Sequence, residues 1–153
     1  MRRQSLLLLL PFLSMSCGGG EEPSPALPVP LRLPGRLLSP EGTVVDCSAD
    51  TLAVLYYWIP IEGYEPGAGD LEEIARLRDE GWRIFPVQPD EASRNAAQLQ
   101  ANNLGIPLPV FLADSEAAVV IPAGVTPVAI SFRRGGATAV ETGRGCVGRL
   151  LGL

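Results

Sequence analysis

The side chains with the widest catalytic reach are either missing from this 153-residue sequence or far apart in it. There is no histidine, which removes Ser-His-Asp and Cys-His catalysis, histidine-ligated zinc and imidazole pH switching. All twelve positive charges are arginine, so Schiff-base chemistry on lysine is absent too. Cysteines stand only at positions 17, 47 and 146. In an oxidising compartment Cys47 and Cys146 could close a long loop worth ~2–4 kcal/mol. Alternatively Cys146, following Gly143-Arg144-Gly145 at a helix start, is a lone thiol with a lowered pKa, or each cysteine is simply a small apolar core residue. Glu62 and Glu65 form a close pair of loop carboxylates. Such pairs bind hard cations or act as acid and base, but a cation needs more oxygen ligands than this loop offers. Two solvated carboxylates, with no metal and no cofactor, are the expected reading.

These residues are positioned by a chain that divides into three parts. Arg2 and Arg3 precede an apolar run from Leu6 to Leu13, then Ser14-Met15-Ser16 lead into Cys17. A basic head, a short apolar middle and small residues at the end make a secretory signal over residues 1–16. The same place resembles a lipobox, the motif cut before a cysteine that carries diacylglycerol, with Ser14 where such motifs usually have leucine. Cys17 is therefore the expected lipidation site, and the membrane the expected first partner. Residues 17–41 hold prolines at 23, 25, 28, 30 and 34 and no sustained helical or strand period, which suits a semi-stiff tether. Gly18 after Cys17 is not the aspartate-type inner-membrane retention signal, so an envelope lipoprotein facing the periplasm, with the outer membrane slightly favoured, is expected.

Residues 42–153 are long enough for one small domain. A 46% hydrophobic content and a mean hydropathy of +0.21 are too apolar for wholly disordered chain, yet no run reaches the roughly 20 residues of a bilayer span. Removing residues 1–16 takes two arginines and no acid, leaving ten positive against 17 negative charges, −7. That balance argues against binding a nucleic-acid backbone. The arginine-only usage, with abundant Ala, Gly and Pro, fits a GC-rich genome.

Within the domain, Thr51–Trp58 (TLAVLYYW) reads as a central strand covered on both faces. A Pro/Gly-rich loop follows, then a helix in which Asp70 and Glu73 have capping-box spacing, Leu71, Ile74, Ala75 and Leu77 form the buried stripe, and Gly81 closes the end. WRIFPV is a second strand, with Pro86 expected at an end, bulge or edge. Asp90 starts a second helix with Ala92, Ala96 and Leu99 on its inner face. PVFLAD and SEAAVV precede two strand-like runs separated by Arg134-Gly135-Gly136, a hairpin signal. CVGRLLGL offers a short last helix. The alternation predicts an α/β domain of order β-α-β-α-β-β-α, with a central mixed sheet and helices on both faces.

This order, with YYW ending the central strand, WRIFPVQPDE, PVFLAD and GVTPVAISFRRGG, resembles the thioredoxin-like fold and its periplasmic TlpA-like thiol-disulfide branch over about residues 42–153. The resemblance implies a cis bond at Thr126-Pro127, with the Thr126 backbone pairing with an extended substrate and Trp58 and Tyr64 near the groove or, equally, in the core. It also implies a WCxxC site that this chain lacks. Glu62 and Glu65 take the two cysteine positions if Tyr57-Trp58 match the family's aromatic pair, and Ile59 and Glu62 do in the other register. In the resembled fold Cys47 and Cys146 lie at opposite ends of a central strand some 26 Å long at ~3.3 Å per residue, against the ~7 Å limit for a bridge. The implied protein is a tethered domain without dithiol chemistry that binds an extended peptide or protein partner; the alternative is an atypical monothiol oxidoreductase using Cys146, with or without Cys47.

Overall fold

The computed structural model describes residues 36–46, 51–61, 68–113 and 126–153. Cys17, Cys47, Glu62, Tyr64 and Glu65, with the signal and most of the tether, lie outside the described residues. The elements are β1 (Arg36–Leu38), β2 (Val44–Asp46), β3 (Ala53–Tyr57), α1 (Ala68–Asp79), β4 (Ile84–Gln88), α2 (Glu91–Asn103), β5 (Phe111–Ala113), β6 (Val128–Arg133), β7 (Gly136–Thr142) and α3 (Cys146–Leu151). From β3 onward this is the expected alternation, with PVFLAD supplying the extra strand β5. The sheet also starts inside the stretch expected to be tether. Leu37 is only 1% exposed and pairs with Ala113 on β5 and Val45 on β2. A three-residue strand is too short to show a period amid prolines.

Among the described residues the seven strands run β2-β1-β5-β4-β3-β6-β7. β3 is central, parallel to β4 and antiparallel to β6, as its unbroken apolar run requires. β4 and β5 are parallel in turn, so the carboxyl ends of β3, β4 and β5 share one end of the sheet. Alternation along β3 splits the core in two. Val54, Tyr56 and Trp58 pack with Leu71, Ile74 and Leu77 of α1, Ala97 and Ala101 of α2, and Cys146 and Val147 of α3. Ala53 and Leu55 join Leu37, Phe85, Val87, Phe111, Val128, Ile130 and Phe132 on the other face. The three described helices therefore pack in one cluster, where β3-α1-β4-α2-β5 crossovers of one hand, always stepping the same way, would put the first two.

Three local expectations change. Pro86 is buried inside β4, not at a sheet edge; it is accommodated because the β4–β5 ladder begins only at Val87↔Phe111. On α2 the buried residues are Ala97 and Ala101, while Leu99 is 59% exposed. Leu99 lies about 200° round the helix from Ala97, and the small side chains, not the large one, let the helix approach the sheet. Asp90 does cap α2, accepting from Ser93 N at 2.8 Å. Asp70 does not cap α1, which begins two residues earlier at Ala68. The hairpin forms as expected: Arg134 (φ 53) and Gly135 (φ 75) are both left-handed, the requirement of a two-residue type I′ turn.

Candidate functional site

The site is built at the carboxyl end of β3, where the chain leaves the sheet through Trp58-Ile59-Pro60-Ile61. Trp58 is fully buried, its ring 5.6 Å from that of Tyr56 and its Nε1 donating to Gln100 Oε1 on α2 at 2.8 Å. Of the two places that the sequence left open for it, groove or core, Trp58 takes the core and not the groove: a strand aromatic on the helix-facing register is covered by α1 and α2. Tyr64, Glu62 and Glu65 lie outside the described residues.

The Trp58–Ile59 peptide is held from both sides. Gln88 Nε2, at the end of β4, donates to Trp58 O at 2.8 Å. The Ile59 N–H donates to Thr126 Oγ1 at 3.1 Å. Gln100 Nε2 further reaches Ile61 O at 3.4 Å. Three elements thus converge on one strand exit, three residues before Glu62. The Thr126–Pro127 bond is cis, as the resemblance implied, with Thr126 half-buried and Pro127 buried. Pro127 O accepts from Gly143 N at 2.8 Å, which pins the start of the hairpin. Among the described residues nothing engages the backbone N–H or C=O of Thr126.

Gln88 was not among the residues singled out from the sequence. It is 1% exposed, and its Oε1 is buried without a hydrogen-bond partner. A signal was present: Ile84 packs toward the helices, so strand alternation puts Gln88 on that same inward register, and a polar residue there requires partners.

Behind the exit lies the second polar centre. Asp70, in the first turn of α1, accepts from Gly145 N at 3.0 Å through Oδ1 and from Tyr56 OH at 3.4 Å through Oδ2. Gly145 is the N-cap of α3, left-handed and without a side chain to cap it. Asp70 thus performs from another helix the reach-back that a capping-box acid makes within its own. Cys146, next in the chain, is free and fully buried. Burial, then the nearby Asp70 carboxylate, push its thiol from 9.0 up to about 12; burial and Asp70 push the Tyr56 hydroxyl up as well. Of the readings left open for Cys146, the small core residue holds and the lowered thiol pKa is reversed: the six-residue α3 and Arg149 stabilise a thiolate less than desolvation and Asp70 oppose it. Cys146 is free, and Cys47, its partner in the bridge considered above, lies outside the described residues. Among the described residues no cluster of three metal-ligating side chains occurs.

No family model and no curated protein matches the sequence. Solved structures do match. A thio-disulfide isomerase from Thermus thermophilus is 19% identical, over 82% of this chain and 94% of that one, with a TM-score of 0.56. A secreted disulfide oxidoreductase of Mycobacterium tuberculosis is 16% identical over 77% and 95%, TM-score 0.50. An exposed lipoprotein thioredoxin of Streptococcus pneumoniae is 14% identical over 76% and 96%, TM-score 0.51. With its central mixed sheet, its helices and its Thr126-Pro127 loop beside the exit of β3, the chain has the thioredoxin-like fold that these thiol-disulfide proteins share.

Proposed function

We propose that this chain is an exported, membrane-tethered thioredoxin-like domain that binds an extended segment of a partner protein at Thr126 and does not exchange disulfides. The observation that carries the reading is the contrast at the β3 exit. The backbone of Thr126 is positioned and without partners among the described residues, which suits addition of an extended strand, where main-chain hydrogen bonds supply affinity. The one described cysteine, by contrast, is buried with its thiol held protonated, and the sequence holds no CxxC. Glu62 and Glu65, in the register set by Tyr57-Trp58, occupy the positions of the two cysteines. The basic and apolar head before Cys17 supports export and lipidation, and one protein of the same fold is itself an exposed lipoprotein.

Two measurements test this. In an insulin-reduction assay with dithiothreitol, the wild type and Cys146→Ser are expected to give the same rate as no protein. Backbone amide shifts are then followed while reduced, alkylated insulin B chain is added, with changes expected to cluster at Ile59, Thr126 and Val128. Turnover by the wild type that disappears in Cys146→Ser would overturn the reading in favour of monothiol chemistry. Shifts elsewhere, or none, would remove Thr126 as the binding edge. Mass spectrometry of protein extracted from envelopes is expected to show a diacylglyceryl adduct on Cys17.

A further inference from the structure

The end of the sheet away from Thr126 carries a different surface. β6 pairs Val128 with Tyr57 at the Thr126 end and Phe132 with Ala53 at the other, so Arg133 and Arg134 project where the β6–β7 hairpin turns. With Thr51, Leu52 and Thr138 they line an open depression of about 750 Å³. Arg83 adjoins it, its Nη1 donating to Thr51 Oγ1 at 2.7 Å while its carbonyl accepts from Val54 N. Arg133 and Arg134 are exposed, and although the Arg133 backbone pairs with Gly136, neither guanidinium has a hydrogen bond or ion pair among the described residues. Elsewhere Arg76, Arg94 and Arg149 are matched by Glu80, Glu91 and Glu141. Arg134 also holds φ 53, a left-handed position that favours Asn, Asp or Gly. The local chemistry of the turn does not ask for an arginine.

We propose that this arginine end seats the domain on a membrane surface of anionic phospholipid headgroups, leaving the Thr126 edge facing away from the bilayer; the idea rests on the membrane-tether reading above. A shallow depression with guanidinium groups and two threonine hydroxyls suits a sheet of phosphodiesters better than one enclosed ligand. Charge complementarity is local, since the chain as a whole is acidic. Cys17 precedes Arg36 by 19 positions, and a proline-rich chain of that length can extend up to about 55 Å. That reach keeps the lipid surface within contact of either end of the domain.

The test uses the mature protein exported with Cys17→Ser, so that no lipid contributes, and reads partition onto vesicles. Binding is expected to vesicles containing phosphatidylglycerol and not to pure phosphatidylcholine, and to fall as salt rises. Arg133→Ala and Arg134→Gly are each expected to weaken it about fivefold. Glycine relieves the left-handed strain, so Arg134→Gly should melt at or above the wild-type temperature while binding less. Equal binding to both vesicle types, binding unchanged in the two variants, or full displacement by millimolar inorganic phosphate, which would mark a small-anion site, would each overturn the proposal. An envelope-extracted protein without a lipid on Cys17 would instead remove the tether reading and leave the vesicle result standing.

Discussion

Burial, with Asp70 beside them, keeps two acids protonated, and the cost of that arrangement is set by pH. The folded Cys146 thiol titrates near 12 instead of 9.0, and Tyr56 is shifted in the same direction. Between those values the unfolded chain releases a proton that the folded chain retains, so stability is full below about pH 9 and is lost as pH rises toward 12. At most about 1.4 kcal/mol per pH unit follows for each group. Urea denaturation at pH 7.5 and pH 10.5 should show the wild type losing about 2 kcal/mol more than Cys146→Ala, and Asp70→Asn should move the thiol titration, read by thiolate absorbance, to lower pH. An unchanged pH dependence in Cys146→Ala would mean that the thiol is not desolvated. Little of this centre was legible in the sequence. Asp70 looked like a helix cap because its true partner, Gly145, is 75 residues away, and local spacing carries no trace of such a pairing. Cys146 was readable as either reactive or buried; only the packing of α1 over it decides.

Elements with a strong local signal came out where expected, and those chosen by packing did not. The apolar run of β3, the Asp90 cap and the Arg134-Gly135 turn each rest on short-range sterics or hydrogen bonding. The inner face of α2 rests on what fits against β4 and β5. Ala97 and Ala101 are buried and Leu99 is not, so Leu99→Ala should change stability by under about 0.5 kcal/mol in thermal melts. Ala97→Leu should cost about 1–3 kcal/mol by overpacking. The reverse order of effects would mean that the helix is rotated. The same helix supplies Gln100 to Trp58 and Ile61, so its close approach is also what brings the strand exit under control.

At the scale of the whole molecule, the parallel strands collect the polar site at one end of the sheet and the hairpin puts unpaired arginines at the other. Proline-rich sequence hid the sheet's first strand. Leu37 sits among Val45, Ala113 and the aromatic face, and Leu37→Ala is expected to cost about 2–5 kcal/mol by equilibrium unfolding; a loss under about 1 kcal/mol would show β1 to be dispensable decoration.

β1 lies between β5 and β2, paired antiparallel to both, and among the described residues it is the first strand of the sheet. Tension applied to the chain before it would load the rungs on both flanks of β1 together, in shear, instead of peeling them one by one. The strand is therefore a mechanical clasp: a domain pulled from its N-terminus should resist until Arg36–Leu38 slips as a unit, and the β3 exit with its clamped Trp58–Ile59 peptide is separated from that load by two further strands.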